Sequence, residues 1–216
     1  MTLATRASPH LWRDVGVVTA LGVAFVAVMV LEPGGTDLTT DIDNVVETAA
    51  ALAAAGACFA TSRRVGPRRR RPWLLLTASM LSWGLGQAAW TYFESVAHQS
   101  PFPSVADLGY LLTVPFAVAA MLTFPAHERG LTLLRVLVDG ITVALATLGV
   151  SWLLVLDHVA RSSTGGLELV LALAYPVGDV IILVATTSAL VRAADAYRTT
   201  VATIGCGLLL LAVSDS

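Results

Sequence analysis

Seven stretches of this chain approach the length at which an apolar helix can cross a lipid bilayer. A hydrocarbon layer about 30 Å thick takes roughly 20 apolar residues of helix. The stretches lie near 15–31, 45–62, 73–93, 104–125, 131–156, 167–191 and 199–216. Such a pattern favours threading through lipid over burial in one soluble core. Composition points the same way: 56% of the residues are hydrophobic and 13% charged, where a soluble domain is about half apolar and about a quarter charged. The expectation is an all-α, polytopic transmembrane helix bundle, with residues 1–14 as a cytoplasmic tail and 15–216 as the helical domain. The first stretch stands where a signal peptide would, but no small-x-small cleavage site follows it, so it reads as a retained anchor. The Ala-rich run 49–56 marks the second as a helix packed closely inside the bundle. The seventh stretch is still running at Ser216, so the reading expects a chain cut in mid-architecture and an eighth helix in the intact domain.

Charge sets the orientation. All 13 basic residues are arginine. Alternate connections carry Arg6 and Arg13, then Arg63, Arg64 and Arg68 to Arg71, then Arg129, then Arg192 and Arg198, with Arg135 just inside the fifth stretch. The intervening connections hold Glu32, Asp37, Asp41 and Asp43, then Glu94 and His98, then Asp157 and Arg161. With the amino terminus inside, every arginine except Arg161 faces the cytoplasm, as the positive-inside rule requires of a multi-pass protein of the plasma (inner) membrane. The Arg68–Arg71 cluster sits between two apolar stretches. Anionic lipid head groups account for it, so membrane lipids are expected partners and nucleic acid is not.

Catalytic signatures are missing from the sequence. His10, His98, His127 and His158 are isolated, and no phosphate loop, nucleophile elbow or Cys-x-x-Cys is present. Cys58 and Cys206 each lie inside an apolar stretch, far from metal-ligand spacing, and read as packing residues. No metal, no cofactor and no enzymatic activity are expected of these residues.

Polar residues placed inside or at the mouth of the spans are the candidates for function. Ser104 is a preferred N-cap, and Asp107 follows it by three residues, where its carboxylate can return to the cap. Asp107 therefore reads either as a capping residue or as a ligand-facing carboxylate at the mouth of a bundle. Pro115, further along the same helix, is a potential kink. Trp83, Gln87 and Trp90 share one helix face, which ends where the next helix begins with Asp107 and Tyr110. Gly84 and Gly86 would let that helix approach a neighbour closely, so the face is either a packing seam or one wall of a pocket. Asp179 lies midway along the sixth stretch, after Tyr175, Pro176 and Gly178. Its neighbours three and four residues away, Tyr175, Pro176, Ile182 and Leu183, carry no charge. A carboxylate at that depth should face the bundle interior, pair across helices or stay protonated. Asp139 follows Arg135 by four residues, and the two read as a structural ion pair.

The order Trp83-x-Leu-Gly-x-x-x-Trp90, Pro103-Ser-Val-Ala-Asp107-Leu-Gly-Tyr110-Leu, Leu137-Val-Asp139-Gly140, Ala174-Tyr-Pro-Val-Gly-Asp179 and Ala212-Val-Ser-Asp215-Ser216 resembles the amino-terminal membrane region of actinobacterial GGDEF/EAL signalling proteins. The resemblance spans roughly Trp73 to Ser216, and it departs at Gln87, where an acidic residue would be expected. It implies a sensory or anchoring module that regulates an attached cytoplasmic domain making or degrading cyclic di-GMP, a domain this sequence does not contain. The expected responsive site joins Trp83, Gln87, Trp90, Asp107, Tyr110, Tyr175 and Asp179, with an unknown ligand and an open question of homodimerisation. The alternatives are a small proton-coupled transporter, or part of one, for which a mid-helix carboxylate is suited, and a passive anchor or dimerisation scaffold.

Overall fold

The structure, a computed structural model, describes residues 9–125 and 166–214 together with Val138, Thr142 and Gly149. Among the described residues six α-helices have defined bounds: α1 (Pro9–Leu31), α2 (Thr36–Arg64), α3 (Pro67–Thr91), α4 (Val105–Thr123), α5 (Gly166–Arg192) and α6 (Asp195–Ser214). There is no β-sheet among the described residues. The fifth expected stretch, with its Arg135–Asp139 pair, lies outside the described residues, where only Val138, Thr142 and Gly149 are assigned, each helical.

Several helices begin earlier than the apolar runs suggest. α2 starts at Thr36 rather than near 45, so Asp37, Asp41 and Asp43 lie on a helix instead of in a connection. Asp37 in the first turn meets the positive end of the helix dipole. The Thr39 and Thr40 hydroxyls donate to the Gly35 and Thr36 carbonyls at 2.9 and 3.0 Å. α3 starts at Pro67, placing the Arg68–Arg71 run on its first turns. A proline is tolerated at the start of a helix because its missing N–H would be unpaired there anyway. α1 likewise begins at Pro9, inside the expected tail, and α6 at Asp195, which puts Arg198 on a helix. α4 continues through Pro115 to Thr123 as one helix.

Three helices, α2, α4 and α5, are long and apolar enough to cross a membrane, and Gly16–Leu31 of α1 is a shorter apolar segment. The expectation of seven such spans is thus corrected, for the described residues, to three that meet the criterion on length and apolarity. α3 falls short because its arginine run and its Ser79, Ser82 and Gln87 dilute the apolar residues.

Packing follows chain order, α2 on α3, α3 on α4, α4 on α5 and α5 on α6, with α1 touching α2 lightly. Only Ala193 and Ala194 separate α5 from α6, and the Ala194 N–H donates to the Pro125 carbonyl beyond the end of α4 at 3.2 Å. A core of Leu76, Met121, Phe124, Ile182, Val201 and Leu208, with several alanines, fills the α3–α6 interior. Large side chains such as Leu21, Leu85, Leu108, Leu167, Val170 and Leu210 point outward. The buried set, by contrast, includes Thr39, Asn44, Ser62, Ser79, Gln87, Asp107, Thr113, Thr186 and Ser188. Polar and small inside with bulky apolar outside is the reverse of a water-soluble globule, which rarely exposes continuous apolar surface.

The α3–α4 contact is backbone against backbone. A Cβ on Gly109 would stand 2.6 Å from the Gly86 Cα and 2.7 Å from its nitrogen, and a Cβ on Gly86 would meet the Ala106 carbonyl at 2.9 Å. This approach lets side chains on one helix reach the other's main chain. Ser82 Oγ donates to the Gly109 carbonyl at 2.8 Å and Ser79 Oγ to the Thr113 carbonyl at 3.0 Å. Small residues and interhelical hydroxyl bonds are the usual means of helix association where lipid removes the hydrophobic drive. Gly109→Ala should therefore cost about 1–3 kcal/mol of unfolding free energy in detergent, the usual range for overpacking. Gly56→Ala, where a Cβ meets nothing within 4 Å, should be neutral or slightly stabilising in the same denaturation assay.

Candidate ligand-binding site

The start of α4 positions the first functional carboxylate. Ser104 Oγ accepts from the Ala106 N–H at 3.2 Å, and Asp107 Oδ2 accepts from the Ser104 N–H at 2.6 Å and its hydroxyl at 3.2 Å. Asp107 is 6% exposed, and its other oxygen takes the Tyr175 hydroxyl of α5 at 2.5 Å. Asp107 caps α4 and also lines a cavity.

Gln87 on α3 joins three helices and is 4% exposed. Its Nε2 donates to Glu47 Oε2 at 2.8 Å and to Asn44 Oδ1 at 3.2 Å, both on α2. Its Oε1 accepts from the Tyr110 hydroxyl of α4 at 2.5 Å. An acidic residue here would lose the two donor bonds and set its charge against Glu47, so the amide fits this surrounding. Asn44 continues the network, donating from Nδ2 to Glu94 Oε2 at 2.7 Å, and Trp90 Nε1 donates to the same oxygen at 3.1 Å. Glu94 belongs to a π-helical turn, Tyr92–Val96, that prolongs α3. That extra turn keeps Glu94 on the bundle, where the sequence places it in a connection.

These side chains surround a cavity of about 570 Å³ between α2, α3, α4 and α5. Aromatic walls come from Trp83, Trp90, Phe102, Tyr110 and Tyr175, carboxylates from Asp43, Glu47, Glu94 and Asp107, and neutral polar groups from Thr40, Asn44 and Gln87. The Trp83 and Tyr110 rings stand 5.8 Å apart at a tilt. A second cavity of about 20 Å³, room for about one water, lies against Asp179, Thr113, Leu111, Val114, Ile182 and Leu211. Trp83, Tyr110 and Tyr175 form part of both. The approach of α4 and α5 beside it is tight, since a Cβ on Gly178 would meet Val114 Cγ2 at 3.0 Å.

Of the residues singled out in the sequence, Trp83, Gln87, Trp90, Asp107, Tyr110 and Tyr175 meet at the larger cavity, whereas Asp179 lines the smaller one. Arg135 and Asp139 fall outside the described residues. Sequence reasoning missed the whole α2 wall, Thr40, Asp43, Asn44 and Glu47, and also Glu94 and Phe102. A signal was present, because positions 40, 44, 47 and 51 follow the helical spacing of one face. Among the described residues no three His, Cys, Asp or Glu side chains are placed to hold one metal ion.

Gln87→Glu should destabilise the protein by about 1–3 kcal/mol, since a buried polar group loses its partners, while Asp107→Ala should cost about 1–2 kcal/mol through the cap alone. Chemical denaturation monitored by circular dichroism checks both; equal stability to wild type would refute the bonding described. Compared with known proteins, the chain matches no family model, no curated protein and no solved structure.

Proposed function

We propose that the chain is a polytopic membrane sensory or anchoring domain whose helix arrangement regulates an attached cytoplasmic GGDEF/EAL-type domain that makes or degrades cyclic di-GMP. In this reading the long apolar helices lie in the plasma membrane and the amino terminus is cytoplasmic. The arginine distribution then sets the larger cavity at the outer face, where the α3 end and the α4 start meet. The outward-facing apolar side chains support embedding in lipid.

The observation that carries the proposal is Gln87, bonded to α2 and α4 together at the cavity wall. A ligand signals only if it binds two helix arrangements unequally. One that competes for Gln87 breaks contacts to α2 and α4 at once, and one that takes Glu47 or Tyr110 breaks one of the two, so its binding is coupled to their packing. No catalytic role is assigned to this chain.

A second reading, a proton-coupled transporter, is favoured by Asp179 alone. It sits midway along α5 near Pro176, against a cavity that shares Trp83, Tyr110 and Tyr175 with the larger one. Mid-membrane carboxylates near broken helices serve ion coupling in transporters.

Cyclic di-GMP yield in the polypeptide carrying the output domain separates these. Gln87→Ala and Asp179→Asn should each change the yield about five-fold or more, the range of ordinary coupling energies, with membrane insertion intact. Unchanged yield in both, or full regulation after exchange for an unrelated membrane anchor, would reduce the domain to a scaffold. Proton-driven uptake in proteoliposomes would instead favour transport.

A further inference from the structure

We infer that the larger cavity binds a small organic ammonium ion, a protonated amine with an apolar body and one hydrogen-bond acceptor. The inference rests on the sensory reading for its consequence but on the cavity alone for its chemistry.

Four carboxylates, Asp43, Glu47, Glu94 and Asp107, line the cavity, and no arginine or histidine does so among the described residues. The donors that reach Glu94 and Asp107 there are neutral: amide, indole, hydroxyl and backbone N–H groups. Such donors orient a carboxylate without cancelling its charge. Glu94 and Asp107, left charged in this way, make the wall they share attractive to a cation.

The placement of that charge favours an organic cation over a metal ion: among the described residues no three acidic groups are set to share one. Aromatic rings line the same cavity. Ring faces attract ammonium groups, most strongly when water is displaced, and they also cover an apolar body. A volume of about 570 Å³ is within the usual range for small-molecule pockets, about 300–1,000 Å³.

A separate observation points to a ligand. Trp83 is 8% exposed, and its Nε1 has no hydrogen-bond partner among the described residues. A buried indole N–H ordinarily finds an acceptor. Trp83 lines both cavities, so a hydroxyl, ether or carbonyl on the ligand can supply the acceptor that the protein does not.

The test uses the 216-residue chain in lipid nanodiscs, with intrinsic tryptophan fluorescence reporting on Trp83 and Trp90. The probes are tyramine and 2-phenylethylammonium, compared with neutral 2-phenylethanol and anionic 3-phenylpropionate at equal concentration. The amines should bind saturably, the alcohol about ten-fold or more weakly and the anion not at all, and added NaCl should weaken the amines by screening. Glu94→Gln and Asp43→Asn should each weaken amine binding about ten-fold, the effect of removing one nearby charge, and leave the alcohol unchanged. Two variants on different helices keep the test decisive if one fails to fold. Equal binding of the alcohol or the anion, amine affinity unchanged in the folded variants, or no saturable signal with either amine would overturn the inference. If amines bind as expected but cyclic di-GMP yield does not respond to them, the cation site stands and the sensory reading fails instead.

Discussion

The structure depends on the contact between Gly86 of α3 and Gly109 of α4, where a single added carbon would lie 2.6 Å from the opposite backbone. Bringing two backbones this close puts Ser82 and Ser79 within reach of α4 carbonyls and carries Tyr110 to Gln87. Hydrogen bonds between membrane helices average only about 0.6 kcal/mol, whereas a steric overlap costs about 1–3 kcal/mol. Packing therefore decides that the helices meet, and the hydroxyl bonds fix the register at which they do. That register places the Trp83–Gln87–Trp90 face opposite the capped start of α4.

From that placement the polar interior follows. Burying an unpaired amide or hydroxyl costs roughly 2–7 kcal/mol, depending on the reference state. Gln87 avoids the penalty by using both ends of its amide, donating to α2 and accepting from α4. Asn44 and Trp90 converge on Glu94, and Tyr175 on Asp107. Beside this network stands Trp83, whose indole N–H is buried without a partner among the described residues. The same space filled with apolar side chains would hold the helices without a buried network, so the polar wall is not a requirement of stability.

How much of this could be read beforehand depended on whether the signal was local. Asp107 was legible because Ser104 stands three residues before it, and the cap needs nothing else. The Trp83–Gln87–Trp90 face was legible from helical spacing, and the role of Gly86 from the absence of a side chain. The α2 wall was obscured because Asp37, Asp41 and Asp43 resemble a charged connection. In fact the helix continues past its apolar run, where water can solvate those groups. Glu94 was obscured in the same way by the π-helical turn that extends α3. Asp179 lies midway along α5, and the cavity it meets is the smaller one, because depth along a helix does not reveal which neighbour is opposite. Among the described residues α3 misses the criterion for a span because it holds polar residues among apolar ones, and hydropathy by window does not distinguish a lipid-facing side chain from one facing another helix.

The central claim is that α2, α3, α4 and α5 enclose a negatively charged cavity that water can reach. A thiol at Thr40→Cys, in a Cys58→Ala, Cys206→Ala background, stands in the cavity wall. Its rates of modification by cationic and anionic methanethiosulfonates, each divided by the rate for a small free thiol, report the local potential. The account predicts a ratio favouring the cationic reagent by about ten-fold or more at low salt, falling as salt screens the field. Equal rates, a preference for the anion, or a thiol inert to both reagents would contradict it.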